Sequence, residues 1–185
     1  MKQQPQQRSL LNYFGRRAII VCIVLLIGLL AMITVMKISS CMVLAGEAME
    51  VRAEYILTYS QNSRGRMESY FSDEYIASEE LAAERARYED YDIARYSENP
   101  KVTWIWVWPW SNTATVRVHD EVKNIAGQQL ETADTKTKGI PQWQTGSYTL
   151  KMKKIEGTWL ITEVKAGKLD PTPTPSPSAS PSPQS

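Results

Sequence analysis

The sequence predicts an α+β protein carried on one membrane-spanning helix, and three observations support that expectation. Residues 18–36 form an uncharged apolar run, residues 47–98 read mostly as helix, and the stretch after Pro100 alternates as antiparallel strands do. The 185 residues, 43% of them hydrophobic, suit one domain with appendages and exclude a large multidomain enzyme.

The near-neutral net charge of +1 conceals a segregated distribution. Residues 1–46 carry five cations and no acid, and residues 47–98 carry thirteen acids against six bases. Residues 99–170 carry ten bases against seven acids, and the last fifteen residues are uncharged. No segment combines strong basicity with base-stacking aromatics, so no nucleic-acid partner is expected.

Residues 1–17 form a short polar, Gln-rich head, expected to be disordered in the cytoplasm. Residues 18–36, AIIVCIVLLIGLLAMITVM, follow as the span. Nineteen residues at about 1.5 Å each reach about 28 Å, close to a hydrocarbon core of about 30 Å. In lipid only a helix satisfies such a backbone internally. Arg8, Arg16 and Arg17 precede the run, whereas Lys37 is soon offset by Glu47 and Glu50. The positive-inside tendency then places the N-terminus in the cytoplasm and the C-terminal domain outside the cell membrane, as a single-pass protein. Three rivals are a signal peptide cleaved after Val43-Leu44-Ala45, a lipobox-like Ile38-Ser39-Ser40-Cys41, and a twin-arginine signal at Arg16-Arg17, which lacks that signal's usual context. The run exceeds the about 7–15 apolar residues of a signal peptide, and Lys37 interrupts the lipobox context, so an uncleaved anchor is expected. Cys22 and Cys41 are the two cysteines, which leaves the outer domain without an internal disulfide.

Residues 37–46 are the juxtamembrane segment, and residues 47–169 the outer domain. Glu47–Ser60 shows a broad helical stripe, Asn62–Gly65 interrupts it, and Arg66–Phe71 reads as a second short helix. Ser78 is placed to cap a third, running from Glu79 to about Arg95. Val102–Trp108 then reads as a strand, Thr113–Lys123 as another, and Leu130–Lys138 as a polar edge strand. Tyr148–Lys153 alternates, and Glu156-Gly157 turns the chain into the strand Trp159–Val164. Residues 170–185 hold six prolines and read as an extended tail of about 45 Å: a spacer, a glycosylated stalk or a docking peptide.

The strand Asn112–Val118, followed by Tyr148–Ile161 with its Gly157-Thr158-Trp159-Leu160-Ile161 hairpin, resembles the closing strands of nuclear-transport-factor-2-like domains. The resemblance covers about residues 47–166. It implies a cone of about three helices packed on a curved antiparallel sheet of four to five strands. With a preceding span, the layout is similar to the VirB-group inner-membrane scaffolds of type IV secretion and conjugation, where such a domain is an assembly module. No interface motif carries over residue by residue.

Trp104, Trp106, Trp108 and Trp110 recur at a spacing of two, so a continuous strand would point all four to one face. Trp104, Trp106 and Trp108 read first as core or cone lining; the alternatives are an exposed aromatic strip for protein or glycan, and contact with the membrane surface. Pro109 is expected to end the strand and take Trp110 out of the strip. Asp120 is the odd polar member of an apolar row, read as a pocket acid or, more simply, an acid on the rim. His119 points the opposite way, so the two cannot form a facing dyad. No catalytic residue, cofactor or metal ligand is assigned.

The expected function is that of a bitopic bacterial envelope protein with a non-catalytic assembly domain, in a conjugation or secretion scaffold. The expected partners are the lipid bilayer and envelope proteins or a second copy, whose acidic helices would meet the basic sheet. The alternative is a membrane-tethered cone that binds a small molecule or lipid, or acts on it as an enzyme, with Asp120 in its pocket.

Overall fold

The computed structural model describes residues 6–130 and 139–171, with side chains from residue 16 onward. Among these described residues the architecture is α+β: one long N-terminal helix, three short helices, and six antiparallel strands in two sheets.

Helix α1, Gln6–Leu57, is a single element of 52 residues, about 78 Å long. Residues 6–17 of the expected head are thus already helical, and residues 37–46 continue the helix without a linker. Its two ends face different surroundings. From Ile19 to Met36 the large apolar side chains are exposed, and none of the described residues covers them. Beyond Lys37 the stripe Cys41, Ala45, Ala48, Met49, Arg52 and Ile56 is buried, at the spacing of one helix face. Ala45 and Ala48 have only a methyl to accommodate, which lets the helix backbone lie close to the sheet.

Helix α2, Gln61–Tyr70, starts earlier than expected and absorbs Asn62–Gly65. The break lies at residues 58–60, where Ser60 and Ser63 form a reciprocal cap that satisfies backbone donors of the new helix. Helix α3, Asp73–Ile76, is one turn capped by Ser72. Helix α4, Glu79–Ala86, is capped by Ser78 as expected, with the Leu81 N–H donating to the Ser78 hydroxyl at 3.4 Å.

The expected helix to Arg95 is corrected by strand β1, Tyr91–Glu98. Tyr91 and Ile93 are buried while Asp92 and Ala94 are exposed, a period of two. Tertiary pairing with a later strand overrides the helix-forming composition here. Strand β2 is Lys101–Val107, β3 is Thr113–Asp120 and β4 is Val122–Gln129. The expected strand Thr113–Lys123 is therefore divided at Glu121, and β4 pairs with β1 rather than continuing beside β2. Leu130 donates its N–H to Asp90 O at 2.9 Å, and residues 131–138 of the expected edge strand lie outside the described residues. Strands β5, Gly146–Ile155, and β6, Thr158–Leu169, form the expected hairpin. Glu156 and Gly157 both have positive φ, 50° and 91°, as a two-residue turn matched to strand twist requires.

The strands form a four-stranded sheet, β2-β3-β5-β6, and a separate ribbon, β1-β4, in place of one sheet of four to five. One face of the larger sheet supplies Val116, Val118, Leu150, Met152, Ile161 and Val164 to the core. Against them pack α1 and, through Met67, Phe71, Tyr75 and Leu81, the three short helices. The edge strand β2 and its turn carry the tryptophans.

Candidate functional site

Two places concentrate chemistry: the indoles along β2 and the buried carboxyl of Asp120. They lie at opposite ends of the larger sheet.

The indoles are outside. Trp104, Trp106 and Trp108 are 42%, 51% and 49% exposed, and Trp110 is 72% exposed. The core-lining reading is therefore corrected. Val107 faces inward and Ile105 packs against the core, so the alternation leaves the indoles no inward position; Val102 shares the inner side because the register shifts between it and Trp104. The four rings form one ladder, with centroids 6.3 Å apart from Trp104 to Trp106, 5.4 Å to Trp108 and 5.2 Å to Trp110. Trp110 thus stays in the strip although the strand ends at Val107, because the Pro109 turn folds it back over Trp108. At the other end the Arg117 guanidinium lies 5.0 Å from the Trp104 ring centroid, a cation–π contact.

The turn after β2 is fixed to α1. Lys37 Nζ donates to Pro109 O at 2.6 Å and to Ser111 O at 3.0 Å. The Lys154 N–H donates to Asn112 O at 2.8 Å, so the β5–β6 turn lies at the same end of the sheet. Neither contact was visible in the sequence, because each joins residues distant along the chain.

At the far end Asp120 is 1% exposed, which corrects the reading of a rim acid. Its Oδ2 accepts from Trp143 Nε1 at 2.9 Å. Burial pushes the carboxyl above its ordinary value, while the nearby Arg52 charge and the Trp143 hydrogen bond oppose that rise. Arg52, 2% exposed, pairs with Glu84 and donates to the Tyr75 hydroxyl at 2.8 Å. Trp143 was not singled out from the sequence. It reaches Asp120 across 23 residues, and only the polar gap in an apolar row hinted at a partner.

The crevice lined by Ile56, Glu84, Tyr88, Trp143 and Tyr148 leaves about 10 Å³, room for at most one water. A groove of about 520 Å³ runs along Val122, Ile125, Ile140 and Trp143, but it is open to solvent and Asp120 does not line it. His119 points outward, with Nε2 3.8 Å from Asp170 Oδ2. Among the described residues no group of His, Cys, Asp and Glu is placed to hold a metal ion.

No family model, curated protein or solved structure matches the chain. Function must therefore be argued from the geometry alone. A row of four exposed indoles is suited to docking, since each ring offers a large, rigid apolar face at little conformational cost. The Arg52–Glu84 pair joins α1 to α4, and the Asp120–Trp143 hydrogen bond joins β3 to the segment before β5. Cys41 is fully buried and its thiol is raised by burial, so acylation or an intermolecular disulfide would require the helix to leave the sheet.

Proposed function

We propose that this chain is a single-pass membrane protein whose outer domain is a non-catalytic interaction module, with the Trp104–Trp110 ladder as its docking face. The N-terminus lies in the cytoplasm and the domain outside, in a bacterial envelope assembly of the conjugation or secretion kind. The nuclear-transport-factor-2-like cone belongs to the same proposal. The observation that carries it is the indole ladder, exposed along an edge strand and its turn. The helix that supports the domain is also the apolar segment long enough to cross a bilayer, which suits a scaffold.

Photo-crosslinking in intact cells tests the reading. With a photoreactive residue at position 104 or 106, we expect a covalent adduct of one discrete mass. The same residue at Arg95, exposed on β1, should give none. An adduct of twice the chain's mass identifies a second copy, and any other mass an envelope partner. Absence of adducts from the ladder, or the same pattern from Arg95, overturns the docking face. A Ser97→Cys variant labelled by a membrane-impermeant maleimide places the domain outside; protection of that thiol until lysis overturns the topology.

A further inference from the structure

The lower end of the domain lies level with the end of the apolar run. Lys37 directly follows Met36, the last residue of the uncharged segment, and its ammonium holds the carbonyls of Pro109 and Ser111. The turn is therefore set within the reach of one lysine side chain from the apolar boundary. Trp108 and Trp110 flank Pro109 and are 49% and 72% exposed. The β5–β6 turn reaches the same level through its hydrogen bond to Asn112, and there Lys153, Lys154 and Ile155 are exposed. Three cations thus face this end, against Glu156 as the acid of the hairpin.

We infer that this end of the domain is a second membrane contact: Trp108, Trp110 and Ile155 enter the headgroup layer while Lys37, Lys153 and Lys154 face anionic phospholipid. The inference rests on the reading of α1 as a span. Indoles are favoured at the boundary between hydrocarbon and water because one side of the ring is apolar and its N–H seeks a polar partner. Lysines at that depth gain from the negative potential of acidic lipids. Trp104 and Trp106 stand farther up β2 and stay available to a protein partner. The ladder thereby divides into a lipid-facing lower pair and a docking upper pair.

The test uses the full chain in nanodiscs of phosphatidylcholine, with or without phosphatidylglycerol, containing a lipid with a nitroxide near the headgroup. Two of the six tryptophans should be quenched, about one third of the emission, with more quenching when phosphatidylglycerol is present. Trp108→Phe combined with Trp110→Phe should abolish the quenching, and Lys153→Gln with Lys154→Gln should reduce its dependence on phosphatidylglycerol. Resistance of the chain to alkaline extraction checks the span separately. A chain that resists extraction but shows unquenched indoles overturns the second contact and leaves the span standing. Emission protected from nitroxide in a concentration-dependent way overturns it in favour of a second copy at this face. A chain that is extracted overturns the span and this contact with it. Quenching unchanged in the double tryptophan variant also overturns the assignment.

Discussion

Arg52 is the residue on which the upper end of the domain depends. It sits fully within the core, paired with Glu84, bonded to Tyr75 and close enough to Asp120 to oppose the upward push of burial on that acid. Removing it leaves two acids facing each other without their cation. Arg52→Ala should destabilise the domain by about 3–5 kcal/mol, as breaking a buried pair does, measured by denaturant unfolding of the full chain in detergent. Glu98 behaves in the opposite sense. Burial first, then the charges of Glu50, Asp120 and Glu54, push its carboxyl up to about 7 from an ordinary 4.5. The folded state thus keeps a proton that the unfolded chain releases, and stability falls as pH rises from about 4.5 to about 7. Glu98→Gln should remove that share of the loss, melting higher than the parent above about pH 7 and alike near pH 4.5. A thermal melt series across pH reads the difference directly. The inward direction of Asp120 was legible from its place in an alternating row. Its partner was not, since nothing local to Trp143 marks it as reaching back across a loop.

At the level of elements, Gly127 limits what the β1–β4 ribbon can accept. A Cβ there would meet the Asp92 carbonyl oxygen and lie 2.8 Å from Ile93 Cα, where the register of the two strands shifts. Backbone on both sides cannot yield as a flexible side chain would. Gly127→Ala should cost about 1–3 kcal/mol and loosen the ribbon first, seen as faster amide exchange at Tyr91–Ile93 than in β5. The ribbon is also where the sequence misleads. Residues 79–95 are rich in Glu, Ala and Arg, good helix formers, and only the pairing with β4 reveals a strand. The β5–β6 turn and the Ser78 cap were readable because their chemistry is local: two residues of positive φ, and a hydroxyl before a free N–H. The split of the long strand at Glu121 was not, since it arises from where the chain changes sheets.

For the molecule as a whole, composition revealed the apolar segment and the helices-before-strands order, both of which follow from patterns within one stretch of chain. The outward placement of the indoles and the docking of their turn on Lys37 depend on which layers meet, which no single stretch contains. The most consequential global feature is α1, unbroken from Gln6 to Leu57. Among its described residues there is no hinge between the apolar half and the half that builds the core. The domain is thus mounted as on a stiff lever: a change in helix tilt of about 10° would carry the end near Leu57 sideways by about 5 Å over the roughly 30 Å beyond Lys37. Rotation about the helix axis would sweep the upper tryptophans around the compass by the same angle. Whatever grips the span sets the bearing on which Trp104 and Trp106 meet a partner, so a torque within the bilayer is felt directly at the docking face.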